Sequence, residues 1–465
     1  MKIKTHNVLT NNVLETLWRD YRKGSDVYIV AHPSPEQPMS EMQAYVARSF
    51  ILKFYDTLDK SFVEKAEKVL CGTLKYMMNS KNPLINKAIS THTDTCNDFH
   101  PNNMAMIVED FIRLFNITNK KNYLINAVEI AEPISYYYDK KTGKVAGGYD
   151  ISKRILKFNE IIAANESSTA LIMLYKETGR KKYLELAKKF ISPRIAKDDP
   201  LRIETDKGIF WYQKENSKKI HWHHIAYIAR ALQFMYKHTG NKTYYYTFLK
   251  IVEWFIQTRH SSGFWKRSET ERNYFIPIWY NIRNYFNIDI ATTAQVVNIM
   301  KDAYTFTGNE KYLEIAEKSL ESICKRKRNI NGRFIPVERN LPFFHTGDRY
   351  VDCWDLNFFI WANKEMVSKN PYVLVPKDKN EWRSKYWMVD GDCVEYRFDR
   401  SENNISIDIK NLNAIERKFS ILMEIERNQK FLITNNVDFE IRDRILEIYT
   451  RVRPNKKKTI DVVIR

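Results

Sequence analysis

Apolar residues recur at helical spacing through most of the chain, and one punctuation interrupts them four times. It reads aromatic, two residues, Thr, Gly or Asn, three residues, Tyr. The copies are Phe115-Thr118-Asn119-Tyr123, Tyr175-Thr178-Gly179-Tyr183, Tyr236-Thr239-Gly240-Tyr244 and Tyr304-Thr307-Gly308-Tyr312. Ala127, Ala187 and Ala316 follow three of these tyrosines by four residues. Upstream, Ala170, Leu171, Leu174 and Tyr175 share one helix face; downstream, Tyr312, Ile315, Ala316 and Leu320 do the same. Gly or Asn takes the left-handed conformation that closes a helix. Each copy therefore predicts a helix, a tight turn and a second helix whose Tyr packs inward one turn before a small residue.

The copies are about 60 to 68 residues apart. Tetratricopeptide arrays repeat every ~34 residues with almost no spare chain. Here the spare chain carries strand and turn signals, as in Lys207-Gly208-Ile209-Phe210-Trp211. Long loops at one rim of a closed ring fit this better than a solenoid. First helices are expected near 39–57, 101–117, 160–177, 221–238, 288–306 and 350–366, and second helices near 61–79, 120–138, 181–193, 242–259 and 310–326. The sixth pair lacks a second helix. The amphipathic segment 8–22 is the expected partner, which brings the N-terminus beside helix 350–366. After residue 370 the period changes to two, in Cys393–Phe398, Ile405–Ile409, Phe419–Ile425, Phe431–Thr434, Ile445–Thr450 and Ile460–Ile464. That alternation predicts an antiparallel sheet or sandwich. The expected organisation is a helical toroid over 1–369 and a β domain over 370–465.

This hairpin pattern over residues 8–366 resembles the six-hairpin, or (α/α)6-barrel, carbohydrate-active superfamily of glycoside hydrolases, unsaturated-uronyl hydrolases, polysaccharide lyases and epimerases. The resemblance implies a carbohydrate site at one mouth of the toroid. It rests on the hairpin signature and matches no single family. Fold alone does not fix chemistry.

In such a ring the N-terminal ends of the first helices open on one face, where acidic groups and anionic ligands settle. The carboxylates expected there are Asp98, Glu166, Asp289 and Asp355. Hydrolysis of a glycoside needs one protonated carboxyl and a second carboxylate across the bond. Asp98 and Asp289 also read as plain helix caps. Glu166 follows Ile161, Ile162, Ala163 and Ala164, and a Glu in apolar surroundings is costly unless paired. His100, His221, Trp222, His223, Arg349, Tyr350, Asp352 and Trp354 are the expected substrate-binding residues. Arg349 or the histidines would take a uronate carboxylate. For Trp222, Trp211 and Trp265, core packing competes with sugar stacking. No metal is expected: no His-x-x-x-His spacing occurs, and the adjacent His223 and His224 are expected to diverge on a helix.

The leading expectation is an enzyme that hydrolyses an oligosaccharide. Alternatives are a uronate-directed lyase or epimerase using His223 and Tyr350 as acid and base, and a non-catalytic glycan-binding protein. Composition adds little. The formal charge of +19 admits an acidic polysaccharide, but the basic residues are spread along the chain and do not predict nucleic-acid binding. Five cysteines without Cys-x-x-Cys spacing argue against disulfides and structural zinc. No signal-like or membrane-length apolar run is found, so a cytoplasmic protein is expected. No Gly-x-Gly-x-x-Gly or Walker loop occurs, and no cofactor is expected. The oligomeric state is left open.

Overall fold

The computed structural model describes residues 2–20, 22–23, 28–33, 36–57, 59–91, 98–158, 165–213, 219–266, 268–270, 288–325, 327–330, 333–336, 356–362, 372–375, 383–387, 394–401, 404–425, 430–435, 437–442 and 445–464. Helix α1 spans Lys2–Asp20. Five hairpins follow: α2 (Ser40–Thr57) with α3 (Lys60–Gly72), α4 (Pro101–Thr118) with α5 (Lys121–Ala131), α6 (Asn165–Thr178) with α7 (Lys181–Ile195), α8 (Trp222–Thr239) with α9 (Lys242–Gln257), and α10 (Ile290–Thr307) with α11 (Glu310–Lys325). Residues 356–362 form α12.

The recurrent punctuation works as the residues suggest. Asn119, Gly179, Gly240 and Gly308 have φ of 59°, 68°, 68° and 70°. The threonine before each, Thr118, Thr178, Thr239 or Thr307, donates to the carbonyl four residues back and accepts from the amide two residues on. Both ends of the turn are thereby satisfied. Tyr123, Tyr183, Tyr244 and Tyr312 are buried. Tyr123 and Tyr312 donate to Glu67 and Glu253 on the preceding outer helix, which ties these two hairpins to the ones before them.

The inner helices α2, α4, α6, α8 and α10 pack each against the next. α12 closes the ring. Ser49 on α2 donates to Asn357 at 2.6 Å, Trp361 donates to Ser49 at 3.2 Å, and Lys301 on α10 donates to the carbonyl of Ala362. The fold is thus a mainly helical (α/α)6 toroid. α1 packs on α2, with Trp18 edge-on to Phe50, and touches strand Arg333–Pro336 beyond α11. It therefore stands outside the ring near the seam where first and last hairpins meet.

Residues 372–464 supply two sheets. One has the order Tyr372–Val375, Arg417–Glu424, Ile445–Val452, Asp438–Arg442, with a parallel first pair. The other runs Arg383–Trp387, Val394–Arg400, Asn404–Asn411, Lys457–Ile464, Phe431–Ile433, all antiparallel. Ile405, Ile407, Ile409, Phe419, Ile421, Leu446, Ile448, Ile460 and Val462 are buried on their inner faces. The Ala414 amide donates to Thr305 at the C-terminal end of α10, so this unit touches the end of the toroid away from the helix N-termini.

Candidate active site

Short strands gather the N-termini of the inner helices. The Thr91 carbonyl accepts from Ser40 at the start of α2, and its amide donates to Asp98 just before α4. Asn102 in the first turn of α4 accepts the Glu166 amide at the first turn of α6 (3.0 Å). Strand Ser268–Thr270 pairs with Lys219–His221 before α8, and Trp265–Lys266 pairs with Ile288–Asp289 before α10. Asp98, Glu166, His221 and Asp289 therefore stand at one mouth.

Their environments differ. Asp98 accepts from His100 Nε2 at 2.8 Å and from Lys157 at 3.0 Å. Burial opposes its charge, but these two partners prevail and hold its carboxyl at about 2. His100 is raised in turn: burial lowers it, and Asp98 together with the Gly147 carbonyl outweighs that. Asp289 is the N-cap of α10 and accepts from the amide and hydroxyl of Thr292. Trp222 turns outward, stacks on Trp254 and donates to Thr258, so it lies in the wall and not in the mouth. Trp211 and Trp265 are fully buried as well. Arg349, Tyr350, Asp352, Trp354 and Asp355 lie outside the described residues.

Glu166 sits on the first turn of α6, 1% exposed. Its Oε2 accepts from Arg230 Nη1 at 2.9 Å. Arg230, on α8, also donates to Glu109 on α4 at 2.8 Å. Arg48 on α2 donates to Asp110 at 2.9 Å and Glu109 at 3.1 Å, and Arg113 donates to the same two carboxylates. Three guanidiniums thus face three carboxylates inside the ring. Charges this deep persist only when paired. Burial raises Glu109, but Arg230, Arg48 and Arg113 overcome it and hold its carboxyl at about 2. Glu166 receives less support. Burial pushes it up to about 7, Arg230 resists, and the charge of Glu109 adds to the rise. Tyr45 and Tyr227, from opposite sides of the ring, meet at 2.9 Å between hydroxyls and feel the Glu166 charge. They plug the lumen, so the mouth has a floor.

Glu166 imposes a pH dependence on stability. Its pKa is raised from 4.5 to about 7 on folding. Between those values the folded chain binds more protons than the unfolded one. The stabilisation is complete below 4.5 and is lost as pH rises through 7. Melting curves of wild type and Glu166→Gln across this window will show a gap that widens in favour of the variant as pH rises. A constant gap refutes the assignment.

The three histidines correct one expectation. His223 and His224 do not diverge: their ring centroids are 4.0 Å apart. His221, held on a strand at the N-cap, folds its ring back over the first helical turn and stacks on His224 at 4.7 Å. His221 Nδ1 lies 3.1 Å from His223 Nδ1. Among the described residues, one ring nitrogen of each of the three lies within 4.8 Å of the others. Three neutral imidazoles so placed are the donor set that suits zinc or a similar divalent ion.

Sequence reasoning missed Arg48, Glu109, Asp110, Arg113 and Arg230. The available signal was the acidic pair Glu109-Asp110 inside an otherwise apolar helical stretch, Ile107 to Phe111.

Residues 149–274 match the sequence model of the "Beta-L-arabinofuranosidase, GH127 catalytic domain". That stretch contains Glu166, the histidines and Arg230. No curated protein matches the sequence. Similar solved structures include the cellobiose 2-epimerase of Bacillus thermoamylovorans B4167, with TM-score 0.60 and 10% identity over 79% of this chain and 100% of that one. A sugar epimerase from a ruminal bacterium gives TM-score 0.59 and 13% identity over 78% and 98%. A GH76 α-mannanase from Bacteroides thetaiotaomicron gives 0.58 and 11% over 78% and 95%. The chain has the (α/α)6-barrel fold of the glycoside hydrolase and epimerase superfamily, with no single family matched firmly.

Proposed function

We propose that this chain is a carbohydrate-active enzyme that hydrolyses a glycosidic bond at the mouth of its toroid. One observation carries the reading: Glu166 lies buried at the head of an inner helix against Arg230, where burial and the charge of Glu109 push its carboxyl up to about 7. A carboxyl poised there serves as general acid at physiological pH. Asp98, held ionised by His100 and Lys157, is a stabilising carboxylate for the opposite face of the sugar. Asp289 and Asp355 complete the set of candidate carboxylates. His100, His221, His223, Arg349, Tyr350, Asp352 and Trp354 are the proposed sugar-binding residues, while Trp222 supports the wall. The match to the GH127 domain supports this reading and suggests an arabinofuranoside as first substrate to try.

A second reading has its own support. In the His221–His223 contact, one imidazole accepts while the other donates or is charged, so a base stands at the rim. An epimerase or lyase would use it, with Tyr350 as partner. The test is incubation with p-nitrophenyl β-L-arabinofuranoside, α-1,6-mannan and cellobiose in heavy water. Hydrolysis predicts new reducing ends from a glycoside and no deuterium on sugar carbon. Deuterium uptake at carbon without cleavage overturns hydrolysis in favour of epimerisation. Saturable sugar binding with no turnover favours a non-catalytic glycan-binding protein.

A further inference from the structure

The strand Asp438–Arg442 forms one end of the four-stranded sheet. It pairs with Ile445–Val452, and no described strand pairs with its outer edge. Phe439 stands opposite Ile448, and Ile441 opposite Leu446. Residues opposite each other in an antiparallel pair share a face. Ile448 and Leu446 are fully buried, whereas Phe439 and Ile441 are each 51% exposed. The apolar face of the sheet therefore continues beyond its cover. An open edge carrying large apolar side chains is a template for strand addition.

The order of residue types identifies the occupant. Asp438 and Glu440 stand in the N-terminal part of the strand and Arg442 at its C-terminal end. About a two-fold axis near Glu440, a second copy running antiparallel sets Asp438 opposite Arg442 of the other chain, twice. The same register sets Phe439 opposite Ile441, also twice, and Glu440 opposite Glu440 once, on the axis, so two opposite-charge pairs flank one like-charge contact. A parallel addition would set like charges side by side. Self-complementarity of this kind is what an isologous interface requires.

We propose that two copies of this chain associate by antiparallel pairing of strand 438–442, with Phe439 and Ile441 as the apolar centre. The pairing joins the β units and leaves the mouths of both toroids open.

Sedimentation velocity of the full chain over a wide range of concentration tests this. A concentration-dependent dimer is expected. Ile441→Lys and Arg442→Glu should each yield monomer that melts as the wild-type chain does at dilutions where it too is monomeric, because the altered positions stand on the outermost strand of the sheet. A doubly changed chain, Asp438→Lys with Glu440→Lys, should also be monomeric. Mixing it with Arg442→Glu chains should restore a dimer. A wild-type chain that stays monomeric throughout, variants that still dimerise, or a mixture that remains monomeric would each overturn the proposal.

Discussion

Replacing Glu166 by Gln is expected to cut turnover of the cleaved glycoside by about 10²- to 10⁴-fold, the usual worth of a positioned acid. The fold should survive. Gln keeps an oxygen for Arg230, and the backbone amide still donates to Asn102. It removes a proton that burial otherwise keeps on the side chain up to about pH 7. KM should change little, since the effect of the proton transfer is realised in the transition state. The wild-type rate should fall as pH climbs past 7 and Glu166 ionises, and the residual rate of the variant should lack that limb. Steady-state kinetics across pH decide the matter. A variant with wild-type kcat ends the role assigned to Glu166.

Arg48→Met is expected to produce the largest loss of stability. Arg48 is 2% exposed and bridges Asp110 and Glu109, both with no exposed surface. Its guanidinium also lies over the Trp361 ring, 4.6 Å from the centroid, at the closing helix. Removing it leaves Asp110 with Arg113, and Glu109 with Arg113 and Arg230, so the two buried carboxylates are less fully compensated, at a cost of up to about 3–5 kcal/mol. Spread over a ring of ~360 residues with ~2.1 cal/mol/K each, this lowers Tm by roughly 4–7 °C. Arg48→Lys keeps the charge but not the two-pronged contact and should fall between. Calorimetry reads all three chains. A Met variant melting with wild type would show that the network carries no net stability.

The contrast between these residues explains what could be read in the sequence. The hairpins were legible because their determinants are local. Thr118, Asn119 and Tyr123 act on groups within four residues, and each copy repeats the solution. The Arg48 network was not legible because its partners come from separate helices, 61, 62 and 121 residues apart. Arg48 does stand in an apolar stretch, Tyr45 to Leu52, but nothing local names its partners. Glu166 was singled out by its apolar surroundings, and it is buried. The histidines show the limit of spacing rules. Helical geometry separates the Cβ atoms of His223 and His224, but ring positions depend on side-chain rotamers and on the extended backbone of His221. Strands 372–375, 383–387 and 438–442 went unassigned since each is only four or five residues long, although Asp438 to Arg442 does alternate.

The seam between α2 and α12 also bears on how the chain is made. Ser49 waits for Asn357, 308 residues later, and α3 and four further hairpins stand between them. During synthesis these hairpins emerge one after another, each able to stack on its predecessor through contacts such as Tyr123 to Glu67. Until residue 362 of 465 leaves the ribosome, the nascent assembly is an arc whose two raw ends expose Tyr45 and Ser49 on one side and Lys301 on the other. Completion is a single late event of high loop-closure cost. The vulnerable interval for aggregation falls just before that event, when the arc is longest and both its ends are still uncovered.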